Sequence, residues 1–209
     1  MFKLLSFCFV LIFSSCLTPS QKLIKNTGFK KGIFAKITTE KGTMIAKLEY
    51  KKAPLTVANF IGLSQGIIPN EVKKEGEPSY DGQIFYRVIK GNMAIGGCPK
   101  GNGTGHPGYV FRDEFHKDLK HNKPGILSMV SHGPNSNGSQ FIITMTESPA
   151  MDGINSVFGL IISGIDILSL IQQGEKIVSI EIIKLGKDAN RFDPLEIFKK
   201  NGFNTMLNK

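Results

Sequence analysis

Beyond its first eighteen residues, glycine and proline punctuate this chain so evenly that long helices have little room to form. The 23 glycines and 10 prolines are spread instead of clustered, which favours many short strands joined by turns. The runs between these breaks agree. Phe34 to Thr39 and Thr43 to Glu49, separated by Glu40-Lys41-Gly42, predict a β-hairpin. Ile126 to Val130, Ser139 to Thr144, Val157 to Ile162 and Ile177 to Leu185 predict further strands. Leu55, Val57, Phe60, Ile61 and Leu63, after Ala53-Pro54, have the spacing of an amphipathic helix that stops at Gly66. Ile165, Leu168 and Ile171 predict a second helix ending by Gly174, and Asp193-Pro194 opens a short C-terminal one. The pattern is mainly β, with about eight strands and two main helices. Closing such strands into a barrel removes the sheet edges, and the helices would cap its ends.

The stretch from Ile84 to Gly159 carries the chemistry. Phe85-Tyr86-Arg87-Val88-Ile89 alternates with period two, which predicts Phe85, Arg87 and Ile89 on one face and Tyr86 and Val88 on the other. An arginine between two large apolar residues suits a wet cleft better than a core, because a buried guanidinium is costly unless paired. Ser139-Gln140-Phe141-Ile142 follows a Gly-Pro-Asn turn and reads as a strand with an amide near its start. Taken singly, Arg87 would be a surface arginine paired with a carboxylate such as Glu114, and Gln140 an ordinary polar strand residue. The glycine-rich run Gly101 to Gly108 lacks the Gly-Lys-Ser/Thr ending of a phosphate loop. His106, His116, His121 and His132 have no metal-ligand spacing and read as exposed histidines.

Met1 to Cys16 opens with Lys3 and continues as an apolar run from Leu4 to Phe13, too short to span a bilayer but suited to an export signal. Ser14-Ser15-Cys16 resembles a bacterial lipobox and implies lipidation at Cys16, so residues 1–16 read as a signal peptide. Residues 17–32 are polar and read as a tether. Cys98 is then left without a disulfide partner. The domain is expected over residues 33–186, with residues 187–209 a C-terminal extension containing a short helix. The formal charge of +9 comes from scattered lysines and reads as a solvated basic surface, not a nucleic-acid footprint. The expectation is an exported monomer anchored in the cell envelope on the periplasmic side, with an ordinary secretory signal giving a soluble secreted form, or an uncleaved anchor, as the alternatives.

Several motifs occur together: Phe85-Tyr86-Arg87-Val88-Ile89, Met93, Gly96-Gly97, Gly103-Thr104-Gly105, Phe111-x-x-Glu114-Phe115, Gly125 to Met129, Gly133 to Phe141, and Asp152-Gly153 with Val157-Phe158-Gly159. In order and spacing they resemble the cyclophilin family of peptidyl-prolyl cis-trans isomerases, over about Phe34 to Leu185. The resemblance implies a closed eight-stranded antiparallel barrel capped by two α-helices, with the substrate proline in a groove on its outer face and no cofactor or metal. It puts the catalytic arginine at Arg87, the pocket methionine at Met93 and the substrate-holding glutamine at Gln140. Further substrate-binding positions fall on Phe85, Asn92, Ile95, Val130, Ser131, Ile142, Met151 and Asn155. Several depart from the family pattern: Asn92 and Ile142 stand where most members have Phe, Ile95 for Gln, Ser131 for Asn, Ala150 for Trp, Met151 for Leu and Asn155 for His. Two readings follow from it. One is an isomerase that helps fold exported proteins; the other is a weakly active or inactive module that grips proline-containing segments on the same barrel.

Overall fold

In a computed structural model that describes residues 17–203, eight strands make one antiparallel sheet. β1 (Gly32–Thr39) and β2 (Gly42–Leu48) form the expected hairpin, paired from Ile33↔Leu48 to Thr39↔Gly42. The remaining strands are β3 (Arg87–Ile89), β4 (Met93–Gly96), β5 (Ile126–Met129), β6 (Phe141–Thr144), β7 (Val157–Ser163) and β8 (Ile177–Leu185). Their order is β3-β4-β6-β5-β7-β2-β1-β8, which leaves β3 and β8 at the two ends. Between these ends the described residues make no ladder: an isolated bridge, Ile84↔Lys176, and a few backbone hydrogen bonds around it join the segments near the start of each edge strand. The sheet is therefore a half-barrel, and the strand ladder does not provide the closed barrel expected from the sequence.

One face of the sheet wraps an aromatic interior. Phe60, on the helix α2 (Pro54–Gln65), lies 5.3, 5.6 and 5.1 Å from the rings of Tyr80, Phe141 and Phe158. Such tilted and edge-on pairs add modestly to the area they bury. Val88, Ala94, Ile143 and Leu127 line the same interior along successive strands. Every residue of α2 from Leu55 to Ser64 is buried, so the helix is covered on all sides. Its outer cover includes α5 (Pro194–Lys200), where Phe198 is fully buried and stacks with Tyr109 and Phe203. The C-terminal extension, which also holds α4 (Lys187–Asn190), is thus packed into the domain.

α2 has no side-chain cap of its own, because Ala53 stands at its N-cap. Glu114 supplies one from a distant loop, accepting from Leu55 N, Thr56 N and Thr56 Oγ1 at 3.1, 2.7 and 2.9 Å. A carboxylate there meets the free N–H groups and the positive end of the helix dipole.

The segment read as a polar tether contains a helix, α1 (Pro19–Asn26). Thr18 and Gln21 form a reciprocal capping box, and Ile24 is fully buried beside Phe34, Ile45, Ile183 and Leu185. α1 therefore docks on the outer face of β1 and β8, the opposite side of these strands from the aromatic core. α3 (Ile165–Leu170) follows β7 and sets Leu168 in the core. The lipobox-like sequence at Cys16 lies outside the described residues. Among the described residues, no helix is long and apolar enough to cross a membrane.

Candidate active site

Side chains opposite one another in an antiparallel sheet share a face, so the register locates the site. Arg87 pairs with Ile95, Ile95 with Ile142, and Ile142 with Ser128, which places all four on the outer face. Ile89, Met93 and Thr144 form the adjacent outer row. Ile95 and Ile142 are 7% and 5% exposed yet belong to neither apolar cluster. They form an apolar floor, half-buried Met93 stands beside it, and exposed Arg87 stands at its edge. Among the described residues Arg87 enters no salt bridge. Its suggested partner Glu114 caps α2 instead.

Gln140 stands just before β6, with its backbone carbonyl accepting from Val130 N at 3.0 Å. The residue is 7% exposed, and both N–H bonds of its amide are engaged. Nε2 donates to Gly103 O at 3.0 Å and Gly105 O at 2.7 Å, and Oε1 accepts from the Tyr86 hydroxyl at 2.6 Å. The glycine loop is held from its other side by Cys98, whose Sγ accepts from Gly103 N and Gly105 N at 3.2 and 3.3 Å. Burial pushes the Cys98 thiol up, but the N–H groups around it outweigh that and hold it below its ordinary 9.0. At Gly105 a Cβ would stand 2.8 Å from Lys100 N, so the loop closes only with glycine there. Beyond Gln140 opens a cavity of about 430 Å³, walled by Gly103, His106, Val110, Val130, His132 and Ser136.

The turn leading into β6 is built from polar side chains. Asn135 adopts the left-handed region at φ 57°, where Asn is among the better tolerated residues. It exchanges two hydrogen bonds with Asp113, at 3.0 and 2.9 Å. Asn137 reaches Phe111 O and Asp113, while Asn59 of α2 donates to Gly138 O at 2.8 Å.

Residues 34–186 match the family model described as cyclophilin type peptidyl-prolyl cis-trans isomerase/CLD. The chain belongs to the cyclophilin-type peptidyl-prolyl cis-trans isomerase family. It is 45% identical over 132 residues to peptidyl-prolyl cis-trans isomerase A of Mycobacterium tuberculosis, covering 61% of this chain and 72% of that one. To the peptidyl-prolyl cis-trans isomerase of Helicobacter pylori it is 40% identical over 159 residues, covering 75% of this chain and 91% of the relative. A crystal structure of a cyclophilin type isomerase from Cryptosporidium parvum superposes with a TM-score of 0.60 at 31% identity, covering 74% of this chain and 98% of the other. The same Cryptosporidium protein has been crystallised in the presence of the dipeptide Ala-Pro.

Within this cyclophilin-type chain, the residues expected to bind substrate divide. Arg87, Met93, Ile95, Ile142 and Gln140 gather on the outer face, and Val130 lines the cavity next to Gln140. Phe85 does not join them: it is fully buried against Phe141, at 6.4 Å between rings. The period-two expectation fails because Phe85 and Tyr86 precede β3 and bond elsewhere. Phe85 N donates to Glu175 O and its carbonyl accepts from Gly174 N, which turns the ring inward before Arg87 turns out. Asn92 sits in the β3–β4 turn, with its Oδ1 buried and unpartnered. Ser131 bonds Gly133 within its own turn. Met151 ends a 3-10 turn (Pro149–Met151), and Asn155 commits its Nδ2 to Met129 O at 2.8 Å, bracing that turn against β5.

His121 also departs from expectation, being fully buried. Its backbone N–H donates to Asp152 Oδ1 at 2.9 Å, and its Nδ1 lies at the same distance from that oxygen. Ser148 N donates to the His121 carbonyl, so the pair anchors the loop carrying Met151 and Asn155. Burial lowers the affinity of His121 for a proton below its ordinary 6.5, with Asp152 opposing this in part. Burial alone would raise the Asp152 carboxyl, but hydrogen bonds from His121 and the charge of Lys120 hold it below its ordinary 3.8.

A folded-state pKa below the unfolded value means that the unfolded chain takes up its proton first as pH falls. The contribution of His121 is therefore complete above about pH 6.5 and declines below it, whereas that of Asp152 declines only in the carboxylate range. Denaturation midpoints measured between about pH 7 and 5 should fall in the wild type and stay nearly flat in His121→Asn. Equal slopes in the two proteins would contradict this assignment.

Proposed function

We propose that this protein catalyses cis-trans rotation about X-Pro bonds in exported polypeptides, with Arg87 donating to the prolyl nitrogen as the amide twists. The observation that carries this reading is an unpaired, exposed Arg87 at the end of the apolar row Ile95–Ile142. A planar amide resists rotation with a barrier of roughly 18–20 kcal/mol. Uncatalysed exchange consequently takes on the order of tens of seconds. No bond to the enzyme forms and no proton need move; the protein has only to bind the twisted amide better than the planar one. Twisting returns a lone pair to the nitrogen, which a guanidinium satisfies and the planar amide does not offer. Bringing exchange to milliseconds needs about 10⁴-fold, or roughly 5–6 kcal/mol. One charged donor beside an apolar floor accounts for a large share of that.

The departures bear on rate. Ile95 faces Arg87 across the ladder and has no polar atom to orient the guanidinium. Asn155 commits its side-chain N–H to the Met129 carbonyl. These observations favour an isomerase slower than relatives with the full set of pocket side chains. They also sustain the second reading, a proline-segment binding module.

Arg87→Ala separates the two. In a prolyl-isomerisation assay its kcat/KM should fall by about ten- to a thousandfold, the range for losing one charged donor. Wild-type activity no greater than that of the variant would leave binding without catalysis.

The proposed setting is the envelope, reached by lipidation of Cys16. The support is the apolar run of Leu4 to Phe13 ending in Ser14-Ser15-Cys16. Multiple acyl chains anchor a protein far more firmly than one. Mass spectrometry of the mature N-terminus should find acylated Cys16, and Cys16→Ser should remove both the acyl mass and the membrane fraction. An unmodified N-terminus elsewhere would refute the anchor.

A further inference from the structure

The Gln140 amide has two donors and one acceptor oxygen, and its surroundings admit only one orientation. Two backbone carbonyls, Gly103 O and Gly105 O, lie 3.0 and 2.7 Å from the side-chain nitrogen, which therefore points both N–H bonds at them. A flipped amide would set its oxygen against those carbonyls. The oxygen instead faces the Tyr86 hydroxyl at 2.6 Å, a short bond in which the phenol donates. We infer that Tyr86 is a positioning residue for the isomerase site, holding the Gln140 amide so that both its N–H bonds stay inside the protein and one Oε1 lone pair remains for the substrate. This inference rests on the isomerase reading above.

Three further observations support it. Tyr86 immediately precedes Arg87, so the main-chain turn that sends the guanidinium outward also delivers the phenol to Gln140. The Tyr86 ring packs beneath the glycine loop, where a Cβ on Gly103 would come within 3.1 Å of it. The phenol thus touches the glutamine and also the loop that holds it. Burial, the larger influence, pushes the Tyr86 hydroxyl above its ordinary 10.0, so the donor proton stays in place at neutral pH. Cys98 completes the arrangement by accepting from the N–H groups of the same two glycines whose carbonyls hold Gln140.

A double-mutant cycle on the purified protein tests the inference, because Tyr86→Phe removes a single oxygen and leaves the ring. Tyr86→Phe should lower kcat/KM about three- to tenfold, the scale of one lost neutral hydrogen bond. In a Gln140→Ala background the same change should have almost no effect, since residues acting through one another are non-additive. The side-chain NH₂ resonances of Gln140 should shift and broaden in Tyr86→Phe while the backbone amides of β5 and β6 hold their positions. A Tyr86→Phe loss that persists in full without Gln140, or a variant as active as wild type with unmoved Gln140 resonances, overturns the inference. Failure of the isomerase reading looks different: it is Arg87→Ala that then leaves the rate unchanged.

Discussion

The inward turn of Phe141 is the constraint on which the site depends. Its ring meets Phe60, Tyr80 and Phe85 inside the sheet, and a strand turns alternate side chains to opposite faces. With Phe141 committed inward, Gln140 and Ile142 must point outward, and the register carries that assignment to Ile95 and Arg87. A slip of one residue in β6 would turn the amide into the core and the aromatic ring out of it. The packing that stabilises the domain is thus also what orients the groove.

Around this centre the protein secures its loops with polar contacts from distant parts of the chain. Glu114 caps α2, Asn59 of α2 holds Gly138, and Asp113 pairs with Asn135 and Asn137. Each of these contacts joins residues at least 22 positions apart along the sequence. The glycine loop is clamped between neighbouring Cys98 and distant Gln140. The groove is consequently pre-formed on its Gln140 side, whereas nothing across the ladder orients Arg87. That asymmetry is the physical meaning of isoleucine at position 95.

Local patterns in the sequence were sufficient for the hairpin β1–β2, for β8 and for the positions of helices α2, α3 and α5, because each has its own glycine or proline stop, although α2 is buried on all sides and not amphipathic as its spacing predicts. They were insufficient wherever a residue takes its position from a remote partner. Phe85 was misassigned because its backbone bonds to Gly174 and Glu175 and not along the β3 ladder. His121 read as exposed because the carboxylate that fixes it lies 31 residues away. α1 lies in the segment read as a tether, because its polar composition concealed both the Thr18–Gln21 capping box and the one buried side chain, Ile24. In the candidate site, the motif context singled out Arg87, Met93 and Gln140, which the register sets on one outer face, but not Tyr86, since a tyrosine in a strand pattern gives no sign of a hydroxyl bonded to a distant amide.

The central claim is that the outer groove accelerates rotation about the prolyl bond and does more than hold proline-containing segments. Exchange NMR on an Ala-Pro peptide mixed with catalytic amounts of the purified protein tests it most directly. Cross-peaks between the cis and trans forms should appear at sub-second mixing times, where the free peptide, exchanging over roughly tens of seconds, shows none. Peptide-induced shifts in the protein without any such cross-peaks would contradict the claim.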